Sequence, residues 1–517
     1  MENVRPHASR HARQAAPLQI RSAKTDKQNY TTEIITAGGL PPAVNMLTIS
    51  EEPSMIHIFK MHDTNIVLDV NSGAVHILDD LAYSILEQFT NGLPDEADLM
   101  GNAMIRKLIG EHGEDEVLGV FSELKELKNM GQLFSDDPYE DYFSKQAQAH
   151  ESQPIVKALC LHIAHDCNLR CRYCFASTGD FGTKRSLMSA QTGKRAIDFL
   201  IEKSASRRNL EVDFFGGEPL LNFEVVKEIV LYALEREKET GKNFRFTITT
   251  NAVLLNEDNM KFINEHMGNV VLSIDGRPQV NDAMRFRVDG RGTYADILPK
   301  IMEMAASRKQ DNYYVRGTFT RENLDFSRDV IHLADLGFKQ ISIEPVVAAK
   351  ESGFDIRQED LPTLFREYEN LALEYVNRYR DGNGFNFFHF MMDLDQGPCV
   401  IKRMKGCGSG NEYLAVTPEG DLYPCHQFVG MDQFLMGNVN LSKDVNMEIH
   451  QMFVKHNIYT KPECGRCWAK FFCSGGCAAN AWQFNNCLDK PYDIGCELER
   501  KRLECTLWAK AVEFQEE

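Results

Sequence analysis

Ten of this chain's fourteen cysteines fall between residue 399 and the end, at spacings that no apolar core demands. Cysteines gathered this way organise a chain through metal or through disulfides. The first residues carry no apolar secretory segment, and no apolar run approaches the roughly 18–20 residues that a bilayer span needs. The expectation is a cytoplasmic, reduced chain with no membrane partner, whose clustered thiols are metal ligands. A secreted, disulfide-bonded protein is the alternative. The formal net charge of −18 sets the chain against the phosphates of nucleic acid, so no nucleic-acid partner is expected. Hydrophobic residues make up 43% of the 517 positions, which leaves ample material for more than one core.

The patterning along the chain is uneven. Residues 1–53 carry scattered Arg5, Arg10, Arg13 and Arg21 and no periodicity. They read as a flexible N-terminal extension; a transit peptide, or a start at Met55, are the competing accounts. Residues 55–135 read as a small folded unit. Thr64 to Val70 alternates, with Ile66, Leu68 and Val70 on one face, and Asn71-Ser72-Gly73 turns the chain into Ala74–Leu78, a hairpin signal. Asp79 or Asp80 caps the helix that follows, whose Ala82, Ile85, Leu86 and Phe89 share a stripe. Val117, Val120, Phe121 and Leu124 make a second stripe, so strands followed by short helices suggest a winged-helix-like module. Residues 136–153 are polar and acidic and read as a linker.

From 154 to 395 strands and helices alternate. The candidate strands are Ala158–Ala164, Glu211–Phe215, Phe244–Thr250, Val270–Ile274, Tyr313–Phe319 and Gln340–Val346. Such repeats predict an α/β fold of parallel βα units wrapped into a partial barrel of six strands, a (β/α)6 arrangement. Ligands then bind at the carboxyl ends of the strands. Residues 396–517 are loop-rich, as expected where metal organises the chain.

Directly after the first expected strand comes Cys167-Asn-Leu-Arg-Cys171-Arg-Tyr-Cys174. Three thiolates so close together on a loop can each take one iron of a cubane cluster and leave the fourth iron open for chemistry. A zinc site completed by His162 or His165 is the alternative. The C-x3-C-x2-C spacing, with Tyr173 just before the last cysteine, resembles the signature of the radical S-adenosylmethionine (SAM) superfamily. The resemblance implies that Cys167, Cys171 and Cys174 are the catalytic cluster ligands. It also implies that the open iron binds SAM, and that one electron cleaves SAM to methionine and a 5′-deoxyadenosyl radical, which takes a hydrogen atom from substrate. Gly216-Gly217-Glu218-Pro219, after the second strand, matches the family's GGEP motif, in which glycines permit close backbone approach and Glu218 accepts from the SAM ammonium. Ser273 and Asp275 end the fourth strand and resemble the ribose-contacting motif; turn and helix-cap chemistry is the plainer account of both. Arg316 on the fifth strand faces the SAM carboxylate, the substrate or an internal salt bridge.

A second cysteine field follows. Cys407 is separated by twelve residues from Gly420 and by four more from Cys425; then come Cys464-x2-Cys467-x5-Cys473-x3-Cys477 and, after a gap, Cys496. The string resembles the SPASM domain of radical SAM peptide and protein maturases. It implies two auxiliary [4Fe–4S] clusters, three clusters in all. Cys464, Cys467, Cys473 and Cys496 would close the distal one, and Cys407, Cys425 and Cys477 would hold the proximal one. The fourth proximal ligand is either Cys399 or a substrate cysteine, whose thiol a metal would deprotonate. Cys160, Cys487 and Cys505 lie outside the pattern and read as core or spare thiols.

The module at 55–135 resembles the leader-binding element of peptide-modifying radical SAM enzymes, which add a peptide strand to a sheet edge. The stretches beginning Met55-Ile-His-Ile-Phe-Lys, Asn65-Ile-Val-Leu-Asp-Val, Gly406-Cys-Gly-Ser-Gly and Glu412-Tyr-Leu-Ala-Val-Thr-Pro are similar to the SCIFF maturases, which act on short cysteine-rich peptides. That resemblance implies a sactionine-type thioether between a peptide cysteine sulfur and a carbon of an acceptor residue, threonine in this reading. It implies a precursor peptide whose leader is bound by 55–135 and whose core enters the barrel. An electron donor such as flavodoxin or ferredoxin completes the partners. The rivals are another SPASM-type maturase, such as a formylglycine-forming anaerobic sulfatase maturase, a zinc-dependent winged-helix transcription factor, and an inactive peptide-binding scaffold.

Overall fold

A computed structural model describes residues 33–35, 55–137, 139–140, 153–392, 394 and 400–514. They divide into two compact units: one holds the described residues up to 136 with 510–514, the other those from 137 to 509.

The first unit opens on antiparallel strands. β1 (Glu33–Ile35), β2 (Ile56–Met61), β3 (Thr64–Asp69) and β4 (Val75–Leu78) form a sheet in the order β1-β4-β3-β2. The β3–β4 hairpin turns where Asn71-Ser72-Gly73 was expected to turn it, with Gly73 at a φ of 76°. Asp69 locks the turn: it is buried, accepts from Ser72 N at 3.0 Å, and is bonded to Ser135 through that residue's backbone and hydroxyl. Four helices follow, α1 (Asp80–Glu87), α2 (Glu96–Gly101), α3 (Ala103–His112) and α4 (Glu114–Asn129). Asp79 caps α1 by accepting from Ala82 N at 2.7 Å. Both expected stripes are buried in one core, Ala82, Ile85 and Leu86 against Val117, Val120, Phe121 and Leu124, with Phe89 packed at its margin. Val67 is the β3 residue in that core, although Ile66 and Leu68 are equally buried. The absence of periodicity in 1–53 did not predict β1, which pairs Glu33 with Ile77 and Ile35 with Val75. A three-residue strand is too short to show a period. The rest of that extension lies outside the described residues.

The second unit is built on one sheet, β11-β10-β9-β8-β7-β6-β5-β12-β13-β14. Six parallel strands run in chain order: β5 (Ala158–Ala164), β6 (Asn209–Gly216), β7 (Asn243–Thr250), β8 (Asn269–Ser273), β9 (Tyr313–Phe319) and β10 (Gln340–Pro345). Each matches an expected strand to within a few residues. The mixed α/β fold with a parallel core is thus present. Its strands alternate. On β6, Leu210, Val212 and Phe214 are fully buried while Glu211, Asp213 and Phe215 take the other face. Register sets Cys160 beside Asp213, Asp213 beside Thr247, and His162 beside Phe215, so that second face is largely polar. The helices that return the chain bury one stripe each; Phe223–Thr240 covers the sheet with Val226, Ile229, Val230 and Ala233.

Two expectations change here. The segment from 396 onward is not loop alone. β12 (Tyr413–Val416) pairs parallel with β5, and β13 (Asp421–Tyr423) and β14 (Gly437–Asn438) continue the sheet antiparallel; β11 (Asn386–Phe387) closes the far edge beside β10. The acidic linker also has fixed points: Asp137 accepts from Lys470 Nζ at 2.9 Å and from the Tyr459 hydroxyl at 2.9 Å. Among the described residues no helix is long and apolar enough to cross a membrane.

Candidate active site at the carboxyl ends of the strands

The loops leaving β5, β6, β7 and β8 meet around the cysteine triplet. Cys167 follows β5, and its backbone N–H donates to Asp166 Oδ1 at 2.8 Å, a carboxylate also gripped by Arg185 at 2.6 Å. Asn251, just past β7, points Nδ2 at Cys167 Sγ (3.7 Å) and donates to Asn168 Oδ1 at 2.7 Å. Cys174 N donates to Cys171 O at 3.2 Å, folding the triplet into a tight loop. Burial pushes the Cys167 thiol up to about 12, helped by Glu218, Cys171 and Cys174, and pushes Cys171 up to about 11. Burial also raises Cys174. Three buried thiols that resist ionisation become thiolates when a metal binds them, because coordination removes the proton.

Gly216 and Gly217 bring the second strand's loop against the first. Gly216 has a φ of 123°, and a Cβ there would strike the Ala164 carbonyl; one on Gly217 would strike the Asp166 carbonyl and crowd Gly179. Gly217 N donates to Ala164 O at 2.8 Å. Glu218 is buried and already engaged: Oε1 accepts from Leu220 N (3.0 Å) and Thr250 Oγ1 (2.7 Å), and Oε2 from Asn251 N (2.8 Å). Burial raises its pKa, and those three donors oppose the rise. Oε2 keeps acceptor capacity for one more donor. Pro219 opens a short 3-10 turn, Pro219–Asn222.

Beyond β8 the motif splits. Ser273 ends the strand in register with Arg316. Asp275 is buried and accepts from the Tyr173 hydroxyl at 2.7 Å and from Thr318 N at 3.1 Å; burial pushes it up to about 6. Tyr173 therefore does not stand alone before the last cysteine; it ties the triplet loop to the end of β8. Arg316 reaches Glu344 on β10 at 3.7 Å, the internal salt bridge weighed above. Glu344 is also paired with His389 at 3.2 Å.

The C-terminal cysteines fall into two sets. Burial raises Cys425 and Cys477; beneath it, Cys477 and Cys407 raise Cys425, and Cys407 raises Cys477. Burial likewise raises Cys473 and Cys496, with cysteines of their own set adding to it, and Cys464, Cys467, Cys473 and Cys496 line a cavity of about 150 Å³ with Lys470, Glu499 and Arg500. A second cavity, about 290 Å³, touches Glu344, Cys473, Cys477 and Cys496. Cys399 lies outside the described residues. Cys160 and Cys505 are buried, and Cys160 is bonded to Tyr413.

Among the described residues no three His, Cys, Asp or Glu side chains converge on one ion. The donor set of the triplet is all thiol on one loop, which fits an iron–sulfur cluster, where each thiolate would take its own iron. His162 and His165 bond each other, Nδ1 to Nε2 at 3.0 Å, and His165 also meets Thr183 Oγ1 at 3.0 Å. Burial holds His162 well below its ordinary range and lowers His165 to about 4.

A protein family described as "4Fe-4S single cluster domain" matches residues 157–297, the stretch with the triplet, Glu218 and Asp275. The radical SAM cyclopropyl synthase TigE of Paramaledivibacter caminithermalis is 20% identical over 365 residues, 66% of this chain and 72% of that relative. A cysteine-type anaerobic sulfatase-maturating enzyme of Clostridium novyi is 24% identical over 332 residues, 61% of this chain and 86% of that relative. The structure of native anSMEcpe with bound AdoMet and Kp18Cys peptide superposes with a TM-score of 0.57 at 18% identity, covering 69% of this chain and 99% of that one; that likeness is one of fold. These likenesses support a radical SAM/SPASM-type maturase.

Two site residues escaped the sequence reading. Asn251 ends a strand whose Thr249-Thr250-Asn251 is polar where a core would be apolar, a signal that was legible. Arg285 is the other. It donates to the Tyr173 hydroxyl at 2.8 Å from the end of the short helix Pro278–Met284. Nothing local in the sequence marks it.

Proposed function

We propose that the chain is a radical SAM maturase that binds a cysteine-rich precursor peptide and closes an intramolecular thioether from a cysteine sulfur to a carbon of an acceptor residue, threonine in this reading. The observation that supports it most is the grouping of Cys167, Cys171 and Cys174 on one loop at the carboxyl ends of parallel strands, beside Glu218 and Asp275. Cys167, Cys171 and Cys174 would hold the SAM-binding cluster; Cys407, Cys425 and Cys477, and Cys464, Cys467, Cys473 and Cys496, would hold two auxiliary ones. Once bound, the first cluster supplies the electron that splits SAM into methionine and a 5′-deoxyadenosyl radical. Glu218 offers its remaining lone pair to the SAM ammonium. Gly216 and Gly217 keep the loop wall flat against the site. Asp275 and Ser273 would contact the ribose, and Tyr173 fixes the Asp275 carboxylate. Glu344, paired with Arg316, lines a cavity that would take the core peptide. A flavodoxin or ferredoxin would deliver the electron.

The unit at 55–135 would dock the leader by strand addition. Its sheet ends on β1 and β2, so a leader joins one of those edges or displaces β1 from β4. The test is co-expression with a cysteine-rich precursor followed by mass spectrometry. Each thioether removes two hydrogens from the peptide; a peptide of unchanged mass, its thiols all alkylatable, sinks the proposal.

The relative from Clostridium novyi favours a second reading, a formylglycine-forming sulfatase maturase. Under that reading a sulfatase peptide is oxidised, and deletion of residues 1–135 leaves the reaction intact. Under the first, the same deletion weakens precursor binding while uncoupled SAM cleavage persists.

A further inference from the structure

Arg285 is the cation around which the strand-end site is arranged. Its side chain is only 10% exposed and lies 3.9 Å from Asp275 Oδ1. Its backbone is pinned on both sides, N–H to Asn281 O at 2.7 Å and C=O from Thr293 Oγ1 at 2.8 Å. The segment that carries it is paired with the triplet loop on both sides of Arg285: Arg172 N donates to Met284 O at 3.0 Å and Arg170 N to Phe286 O at 2.8 Å, so the guanidinium stands against the loop of Cys171 and Cys174. One Nη donates to Tyr173, but Nε is buried with no hydrogen-bond partner among the protein atoms. An orphaned N–H on a buried cation is costly, so its retention points to an acceptor that the polypeptide does not provide. A cubane held by three thiolates is such an acceptor: it carries net negative charge, and its potential responds to nearby charge and to hydrogen bonds on sulfur.

We propose that Arg285 is a positioning residue of the SAM-binding site: a fixed positive charge beside Cys171 and Cys174 that raises the reduction potential of the cluster bound there and holds Tyr173 against Asp275. The inference rests on the cluster reading of the triplet. The substitution R285K keeps the charge with a shorter reach, and R285Q keeps a donor without charge, so the pair separates charge from hydrogen bonding.

The experiment uses the full chain, anaerobically reconstituted, as wild type, R285K and R285Q. Iron content, an EPR-monitored redox titration and the SAM-induced spectral change are read on each. R285Q should load iron yet show a reduced-to-oxidised ratio roughly tenfold lower at the wild-type midpoint potential, the response of a one-electron couple shifted by one decade. R285K should shift in the same direction by less. Equal midpoints in wild type and R285Q overturn the inference. If R285Q loads no iron, R285K decides: a midpoint equal to wild type overturns it and a lower one upholds it. A wild type whose iron does not respond to SAM defeats the cluster reading itself, a result distinct from either.

Discussion

The strand-end triplet and the C-terminal cysteine field, both proposed to hold iron, are framed by opposite means. Around Cys167 the frame is secondary structure and side-chain bonding: β5 to β8 are laddered, Glu218 is tied to Thr250 and Asn251, and Tyr173 spans Asp275 and Arg285. Around Cys464, Cys467, Cys473 and Cys477 the chain runs through helices of eight, four, four and eight residues, Met447–Val454, Pro462–Gly465, Lys470–Cys473 and Ala478–Asn485. Isolated helices shorter than about 12–15 residues are marginal in water, so this segment depends on what it packs against. Its polar anchors join short helices and loops rather than a ladder: Lys461 donates to Gly475 O at 2.8 Å, His450 Nδ1 meets Gly410 O at 3.0 Å, and Asp137 reaches in to Lys470 and Tyr459. One site is built by secondary structure and is proposed to accept iron; the other is proposed to be built by iron.

The largest effect should therefore come from removing iron altogether. Chelation of the reconstituted protein should expose residues 447–492 to protease and to amide exchange, while β5 to β10 keep their protection. Uniform loss of protection across both regions would show that the barrel also leans on its cluster, and uniform retention would show that the short helices stand alone. The principle is linkage: where a site does not pre-exist in the unfolded chain, binding free energy becomes folding free energy.

Next in size is Cys171→Ala. The variant should lose SAM cleavage, the 5′-deoxyadenosine product falling below detection, and should keep the iron of the two auxiliary sets and a normal far-UV spectrum. Residual 5′-deoxyadenosine would mean that the triplet has been assigned wrongly. Collapse of the auxiliary iron as well would mean that the two regions are not separately built.

The contrast also explains what the sequence disclosed. Six parallel strands could be read in advance because each is a short apolar run between helical stretches, and four of them, β6 to β9, also bury every second position, as Leu210, Val212 and Phe214 do on β6. The cysteine sets could be read because their spacings are unusual. β12, β13 and β14 could not: they have four, three and two residues, and β12 is placed by pairing with β5, some 250 residues earlier in the chain, which no local pattern reports. Asp137 looked like one more acid in a polar linker until Lys470, 333 residues on, was found against it. Arg285 is the same case inside the site: its meaning lies in Tyr173 and Asp275, and both are contributed by other loops.

The smallest effect probes the scaffold without touching a ligand. Asp213 sits on the polar face of β6, and burial, with Glu211 adding to it, pushes its carboxyl up to about 6 from an ordinary 3.8. The folded state therefore holds a proton that the unfolded state has released between those two values. Unfolding free energy falls with rising pH wherever the native state binds more protons. The cost is absent below about pH 4, grows as the unfolded chain ionises, and is complete above about pH 6. Asp213→Asn removes the ionisable group at nearly constant volume, so it should stabilise the protein by about 1–3 kcal/mol at pH 7.5, at 1.36 kcal/mol per pKa unit less what relaxation and local solvent recover. At pH 4 it should change nothing. Urea denaturation followed by a probe in the barrel checks both. A gain confined to high pH supports a scaffold that tolerates a buried acid for reasons other than stability. An equal gain at pH 4 would point to packing, and a loss at both would mean that the Asp213 carboxyl makes a contact in solution that outweighs its burial.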